Sequence, residues 1–485
     1  MTLKLKQQYT SETPRSNGEN DMQPLQTLTR ASSTQESAET RSRMKHTMEL
    51  LDLNDNVLYQ ICRPFILVMR IGGIFFLPTK LERVKDCHSN NYIPDEPDDF
   101  GAGRRTNRNR SELLCQIYCC TALCIVVTYG CKFAYNFYAV ITPMGDNVMT
   151  TTNLATLVLM LSFSNWHINM IFSHFIMLRA CWRSSLIYEF FVLWERARYI
   201  CPEENCNRFC TRFRSIRNVV VMSALFCVFA NMLSVFLPLL IASKDYEAVR
   251  QVIYAGFGTD NIPICIFQLI GHFFASFIYI LPVFFYVLLC QAVAQDFQHL
   301  NRDLSDRIGE DGSFSGNLEW YRLRHIQLCR LVEHGDNVFS LFTLVSIASS
   351  VAQMFMLVFV TFEYGRKGLF SVVSGLTEFF WFLLYLLQPA LLFGMGMKLN
   401  EAAHSPLWAL YQLNHEKLAT SEVLQLHTFL NNLSCNQIGF TAWKMFVVEA
   451  PALLSILGIY CTYQILLFQL QLDLDDKSDN STKGH

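Results

Sequence analysis

The 485-residue chain carries 39 Lys and Arg against 41 Asp and Glu, and 51% of its residues are apolar. Charged residues make up 16%, below the roughly one quarter that is usual in soluble proteins, so the composition favours a membrane protein. The balanced charge provides no basic field to hold nucleic acid, and no nucleic-acid-binding motif occurs. We therefore expect no DNA or RNA partner.

The N-terminal part of the chain differs in composition from the rest. Residues 1–50 are polar and have no apolar core of a cleavable signal peptide, which predicts a disordered cytosolic tail. Residues 51–111 are predicted to form a pre-span helix and a cytosolic loop. Arg70 and the Gly72-Gly73 pair interrupt the apolar stretch 62–78, which favours a short helix at the membrane surface, although a crossing helix stays open.

Long apolar segments follow, each able to cross about 30 Å of hydrocarbon as a helix that rises about 1.5 Å per residue. Seven such spans are predicted, at residues 112–140, 152–178, 218–242, 264–294, 338–362, 370–396 and 449–471. Residues 112–397 thus hold the first six spans. Helical spacing of apolar residues at 181–200 and 318–336 predicts cytosolic helical extensions of these spans. Residues 398–446 are predicted to form a further cytosolic helical segment.

The distribution of cations predicts the orientation, because Lys and Arg are retained on the cytoplasmic side. Residues 179–217 carry eight Arg and residues 296–336 carry five, whereas residues 141–151 have neither Lys nor Arg. With an odd number of spans, the N-terminus lies inside and the short tail 473–485 outside. The sequon at Asn480 in that tail is compatible with glycosylation. The predicted fold class is an all-α, polytopic membrane protein.

A motif near the C-terminus points to a family. Thr462 and Tyr463 are followed by five mostly apolar residues and then Gln469. This pattern resembles the signature of arthropod gustatory receptors, in which Thr-Tyr, five mostly hydrophobic residues and Gln usually precede Phe. Leu470 stands in place of that Phe. The resemblance covers about residues 55–471.

The resemblance implies a fold and a mechanism. Members of the family are similar to insect odorant receptors, which are tetrameric, ligand-gated, non-selective cation channels in the plasma membrane of sensory neurons. The last span, residues 447–472, would line the pore, and the ligand pocket would lie in the outer half of each bundle. Residues 320–350 and 400–413 are similar to the sugar-receptor branch, which favours a sugar, while a bitter or other non-sugar tastant stays open. Subunits could be identical or related.

The last span carries a candidate gate. Thr462, Leu466, Gln469 and Leu470 fall on one face of a helix. The family's gate maps onto Leu466, Gln469 and Leu470, where leucines could close a pore by dewetting and an amide could meet a hydrated cation. The alternative is a packing stripe in which Gln469 bonds to a neighbouring helix.

Polar residues inside the apolar spans indicate a candidate ligand pocket, since such groups usually face a bundle interior or a water-filled cavity. A sugar site needs amide or carboxylate groups for hydroxyls and an aromatic face for the ring. The candidate ligand-binding residues are Gln268, His272, Gln353, Glu378, Trp381 and Tyr385. Glu378 is the strongest single candidate, because an acid in a span is costlier than an amide. Ordinary interhelical hydrogen bonding is the alternative for each.

Other functional classes find less support. No catalytic or phosphate-binding motif is present, so no enzymatic activity is expected. Cys201, Cys206 and Cys210 match no common zinc spacing, so neither a metal nor a cofactor is expected. His325 and His334 are predicted to be solvated or helix-capping. A G-protein-coupled receptor needs an extracellular N-terminus, and a transporter would be favoured by internal repeats, which the chain lacks.

Overall fold

A computed structural model describes residues 56–76, 105–142, 151–182, 186–198, 203–240, 262–366 and 372–482. These residues belong to one unit, Asp52–His485. The predicted disordered tail 1–50 and most of the loop before residue 105 lie outside the described residues.

The described residues form eleven α-helices. They are α1 (Val57–Ile71), α2 (Arg105–Ile141), α3 (Thr151–Cys181), α4 (Leu186–Arg198), α5 (Glu203–Leu240), α6 (Ile262–Asp306), α7 (Leu318–Arg366), α8 (Val372–His404), α9 (Pro406–Tyr411), α10 (Thr420–Cys435) and α11 (Ala450–Thr482). A two-stranded antiparallel hairpin, β1 (Thr441–Ala442) and β2 (Phe446–Val447), lies between α10 and α11. The predicted all-α class is confirmed, whereas the hairpin at the end of the segment 398–446 was not predicted.

Each predicted span coincides with a long helix. Five helices of the described part of the chain are long and apolar enough to cross a membrane, namely α2, α5, α6, α7 and α8. The apolar part of α11 is shorter, Ala450–Leu466. The remaining span helix, α3, carries polar residues that include Asn165 and His167. The count of seven spans and the inward N-terminus stay predictions.

Two of these helices are much longer than a bilayer requires. At about 1.5 Å per residue, the 45 residues of α6 extend about 68 Å and the 49 residues of α7 about 74 Å, more than twice the hydrocarbon thickness. The parts of α6 and α7 that are predicted to be cytosolic pack with α4. Trp194 Nε1 donates to Asp296 over 2.7 Å, and Arg324 donates to the Ala197 carbonyl over 2.6 Å. This packing is the arrangement expected of cytosolic extensions.

His325 lies inside this helix packing. Its ring is 2% exposed, and its Nε2 is 2.9 Å from the Ala403 carbonyl, to which it donates. The prediction of a solvated or capping side chain is therefore wrong for His325. His334 is partly buried and lies 2.9 Å from the Leu186 carbonyl. Both rings join α7 to neighbouring helices.

The pre-span helix α1 has 15 residues and is about 22 Å long, too short to cross about 30 Å of hydrocarbon. Asn56 caps it by accepting from the Tyr59 amide at 2.9 Å. The helix ends at Ile71, and Gly73 just beyond it has a φ of +70° and allows no Cβ, since one would lie 2.5 Å from Ala122. Phe65 stacks on Phe285 in the core. The length favours a surface helix over a crossing helix.

Candidate functional site

A cavity lies among α2, α3, α5, α6 and α8, in the half of the bundle that the predicted topology places outside. It is lined by Tyr129, Phe133, Phe163, Trp166, His167, Asn231, His272, Trp381 and Tyr385. Its volume is about 20 Å³. A water molecule needs about 10–15 Å³ by this measure, so the cavity has room for water but not for a sugar ring.

Aromatic contacts fix the walls of this cavity. Trp381 of α8 is 7% exposed, its Nε1 donates to the Ser234 hydroxyl of α5 over 2.9 Å, and its ring meets Phe163 of α3 edge-on at 5.6 Å. The Trp166 ring lies 5.4 Å from the His272 ring. Three helices thus contribute rings whose orientation is set by neighbours, which gives the cavity a defined aromatic lining.

Two histidines in the wall each have one nitrogen bonded and one free. His167 Nδ1 lies 2.7 Å from the Phe163 carbonyl, and His272 Nε2 lies 3.2 Å from the Asn231 carbonyl. Because a carbonyl only accepts, the bonded nitrogen of each neutral ring carries the proton. The other nitrogens, His167 Nε2 and His272 Nδ1, are buried and have no hydrogen-bond partner among the described residues. Both are therefore buried acceptors, which a hydroxyl group can reach only after neighbouring side chains move.

Asn231 organises the side of the cavity formed by α5 and α6. Its side-chain amide nitrogen donates to the Ser276 hydroxyl over 2.9 Å. Its backbone carbonyl accepts from the Ser234 hydroxyl at 2.7 Å and from His272. Ser276 in turn donates to the His272 carbonyl over 2.9 Å. This network holds the His272 ring in the orientation that directs its free Nδ1 away from Asn231.

The predicted ligand-binding residues divide into two groups. His272, Trp381 and Tyr385 line the cavity, whereas Gln268, Gln353 and Glu378 are not among its lining residues in the described structure. Gln353 of α7 accepts from Asn165 at 2.9 Å and donates to the Ser162 hydroxyl. Glu378 accepts from the Thr361 hydroxyl at 3.0 Å. These last two side chains make interhelical hydrogen bonds, which was the alternative for each of them.

Several lining residues were not among the candidates. Tyr129, Phe133 and Phe163 are aromatic residues within apolar segments, and nothing in the sequence separates an aromatic residue at a cavity from one in the core. Asn231 is an amide inside a span, the same signal that selected His272, and could have been found by it. Trp166 and His167 sit beside Asn165 and Asn169 in a polar stretch of the second span.

The motif helix α11 contacts its own chain through one face. Tyr460 packs on Phe355 of α7 at 4.6 Å between ring centroids, and Phe468 packs on Phe362 at 5.0 Å. The candidate gate residue Leu466 is 51% exposed. Residues eight apart, such as 460 and 468, share a face, whereas residue 466 lies on the other side of the helix. The side of α11 that bears the candidate gate is therefore not covered by α7.

The remaining motif residues follow the same helix. Thr462 donates its hydroxyl to the Gly458 carbonyl over 2.8 Å, and Tyr463 is 58% exposed. Gln469 is exposed. Leu470 and the sequon residue Asn480 belong to α11, but their side chains lie outside the described residues. The assignment of Leu466, Gln469 and Leu470 to a gate stays a prediction.

Metal ligation finds no support in the described part of the chain, where no group of three or more His, Cys, Asp or Glu could hold an ion. The side chains of Cys201 and Cys206 lie outside that part.

The buried thiol of Cys62 has its pKa raised to about 12 by desolvation, so it stays protonated.

Solved structures share this architecture. The structure of the insect olfactory receptor OR5 from Machilis hrabei matches with a TM-score of 0.63 at 14% identity, covering 85% of this chain and 98% of that chain. The structure of the same receptor in complex with eugenol matches with a TM-score of 0.63 at 15% identity and the same coverage. At such identities the likeness shows a shared fold.

Sequence comparisons identify the family. The chain is 27% identical over 191 residues to the Gustatory receptor for sugar taste 61a of Drosophila melanogaster, covering 38% of this chain and 41% of that receptor. It thus spans about two fifths of the length of that relative. The family described as Trehalose receptor matches residues 107–479, most of the chain. The chain therefore belongs to this family of insect gustatory receptors, which are receptors and not enzymes.

Proposed function

We propose that this chain is a subunit of a sugar-gated, non-selective cation channel in the plasma membrane of taste neurons. The observation that carries the proposal is the cavity with two unpaired histidine acceptors and aromatic walls, in a chain of the gustatory receptor family. The relative from Drosophila melanogaster is named for sugar taste, which supports a sugar as the ligand class.

The lining of the cavity suits a sugar. Sugar hydroxyls are donors, and His167 Nε2 and His272 Nδ1 are buried acceptors without a partner in the part of the chain that the structure describes. The apolar C–H face of a sugar ring packs well on an aromatic side chain, and Trp166, Trp381 and Tyr385 supply such surfaces. A purely apolar ligand would leave both histidine nitrogens unpaired, which costs about 1–3 kcal/mol for each buried group.

The volume of the cavity couples ligand binding to movement. Ligand pockets usually measure about 300–1,000 Å³, whereas this cavity measures about 20 Å³. A sugar can bind only if side chains or helices of the bundle move apart. A ligand that binds one conformation far better than another shifts the population towards it, as a ligand-gated protein requires.

The pore is proposed to form from α11 in a tetramer of identical or related subunits. Leu466 is half exposed on a side of α11 that α7 does not cover, and an apolar side chain there gains a partner when copies meet around an axis. A ring of Leu466 and Leu470 would close the pore by dewetting, and Gln469 would face the permeating ions. Exposed apolar residues on other span helices, such as Phe226 and Phe229, would contact lipid.

Recording from the chain expressed alone tests the proposal. Whole-cell current is measured in cells without sensory G proteins while trehalose, sucrose, glucose and eugenol are applied in turn. We expect a rapid cation current with at least one sugar that persists when G proteins are blocked. Current with eugenol alone would assign a non-sugar ligand. Loss of the current on G-protein blockade would indicate a coupled receptor, and sugar uptake without current a transporter.

A further inference from the structure

Asp336 is a buried carboxylate on the cytosolic part of α7, and it is 2% exposed. Its described partners all come from the β1–β2 hairpin. Its Oδ1 accepts from the Thr441 amide at 2.6 Å, both of its oxygens accept from the Thr441 hydroxyl at 3.0 and 2.9 Å, and its Oδ2 accepts from Lys444 Nζ at 2.5 Å. The hairpin therefore satisfies this buried charge.

The turn of the hairpin has an unfavourable backbone. Trp443 has a φ of 48° and Lys444 a φ of 61°, and the Met445 amide closes the turn on the Ala442 carbonyl at 2.9 Å. Two consecutive residues with positive φ define a turn in which Asn and Gly are preferred. Bulky residues persist there only if their surroundings hold them. The bonds of Asp336, together with a bond from the Trp443 amide to the Ser340 carbonyl at 2.9 Å, provide that support.

The hairpin leads directly into the pore helix. Strand β2 ends at Val447, and α11 begins at Ala450. The Val448 amide donates to the Phe440 carbonyl over 2.9 Å. Phe440 packs on Tyr286 at 5.3 Å, and a Cβ on Gly335 of α7 would lie 2.8 Å from its ring. The start of α11 is thus tightly attached to α6 and α7.

Helix α7 therefore holds α11 at two places. One is the hairpin at Asp336, and the other is the pair of aromatic contacts that Phe355 and Phe362 make with α11. Asp336 and Phe355 are 19 positions apart on one helix, about 28 Å along its axis. Because α11 is fixed at its cytosolic start, a lateral movement of the bundle can tilt α11 and displace its gate end. Without that attachment, the whole of α11 would move together with the bundle.

We propose that Asp336 is a positioning residue for gating, which fixes the cytosolic start of α11 to α7 so that movement of the bundle displaces the gate residues relative to that point. This inference rests on the proposed function as a ligand-gated channel. Asp336 touches neither the ligand nor the permeating ions, and it acts through the hairpin.

A matched pair of residues supplies the control. Asp311 and Lys417 also form an ion pair at 2.5 Å, but they join the connection between α6 and α7 to the segment after α9, away from the hairpin. The bond from Lys417 holds the pKa of the Asp311 carboxyl well below its usual range. Both side chains of this pair are exposed, and neither has a described bond to β1, β2 or α11.

The test compares Asp336→Asn and Lys444→Met with Asp311→Asn and Lys417→Met in the full chain. Surface expression, half-maximal sugar concentration, maximal current and reversal potential are measured with the sugar that gives the largest wild-type current among trehalose, sucrose and glucose. We expect Asp336→Asn to raise the half-maximal concentration about two- to thirtyfold and to lower the maximal current, the range found for residues that couple distant sites. The reversal potential should not change.

Further variants separate gating from folding. The double variant Asp336→Asn with Lys444→Met should shift the half-maximal concentration no further than Asp336→Asn alone, because both remove one interaction. Lys444→Arg keeps the cation and should stay near wild type. The Lys444 side chain is 53% exposed, so its substitution tests the inference even if Asp336→Asn does not reach the surface.

Several outcomes would overturn the inference. An unchanged dose–response curve for Lys444→Met and Asp336→Asn at wild-type surface expression would show that the hairpin does not position the gate. An equal shift for Asp311→Asn would assign the effect to loss of any cytosolic ion pair. A wild-type chain without any ligand-gated current would instead refute the channel proposal, and this inference with it.

Discussion

Trp381 is the side chain with which the proposed sugar site can be tested most directly. It lines the cavity, is 7% exposed, donates to Ser234 and packs edge-on against Phe163. Trp381→Ala removes the aromatic surface and the hydrogen bond together. Trp381→Phe keeps an aromatic ring and removes the donor. Ser234→Ala removes the same hydrogen bond from the other side and leaves the indole in place.

The structure sets the expected magnitudes. Loss of a large buried apolar contact costs about 1.5–3 kcal/mol, so Trp381→Ala should raise the half-maximal sugar concentration about ten- to hundredfold. The bond to Ser234 contributes about 0.5–1.5 kcal/mol, so Trp381→Phe should shift it about two- to tenfold. Ser234→Ala should give a shift of similar size. The shifts of Trp381→Phe and Ser234→Ala should not add in the double variant, because both substitutions remove the same hydrogen bond.

Whole-cell dose–response curves at matched surface expression measure these shifts, and the reversal potential serves as a readout for the pore. Trp381→Ala also enlarges the cavity and is expected to destabilise the fold by about 3–5 kcal/mol, so thermal stability of the detergent-solubilised protein is measured in parallel. A wild-type curve for Trp381→Ala would refute the assignment of the cavity as the sugar site. A changed reversal potential would place Trp381 at the pore instead.

Three further predictions concern the gate, the packing and the acid. Leu466→Ala should raise the current without ligand, whereas Leu457→Ala, nine positions away and so on the opposite side of α11, should not; equal leak in both would refute the gate. Gly271→Ala should lower the free energy of unfolding by about 1–3 kcal/mol, because the new Cβ would lie 2.9 Å from the ring of Tyr129 in the cavity wall. Gly394→Ala meets nothing within 4 Å and should raise stability by up to about 1 kcal/mol, so an equal melting temperature for both variants would contradict the packing. Glu378→Gln keeps an acceptor for Thr361 on α7 and should shift the sugar dose–response curve less than Trp381→Ala does. A larger shift would indicate that Glu378 belongs to the sugar site.

Hydropathy and periodicity predicted the helices well because these signals are local. The positions of the long apolar helices, their extensions beyond the apolar segments and the short helix α1 follow from apolar runs and their interruptions. The hairpin at 441–447 has strands of two residues and a turn without Gly or Asn, so no local pattern predicts it. Its conformation depends on Asp336, which is 105 positions before Thr441. Such a tertiary interaction cannot be inferred from one sequence.

The burial of polar groups predicted the cavity only in part, because the cost of burial does not depend on whether the partner is a protein group or a ligand. Glu378 and Gln353 were selected by that cost, and both have partners on neighbouring helices. His272 was selected by the same argument, yet one of its nitrogens has no partner in the described structure. The distinction depends on the third dimension and not on residue type.

The pairing of these polar groups separates side chains that hold the helices together from side chains that can bind a ligand. Side chains of α7 that have protein partners on other helices, such as Gln353 with Asn165, hold helices together whether or not a ligand is present. The free acceptors of His167 and His272 gain a partner only when a donor enters the cavity. A donor-rich ligand is therefore stabilised in the cavity by bonds that the closed bundle cannot make for itself. Because that ligand does not fit the cavity of about 20 Å³, those same bonds favour the expanded bundle. Under the proposed function, chemical recognition and the opening movement thus have one physical cause.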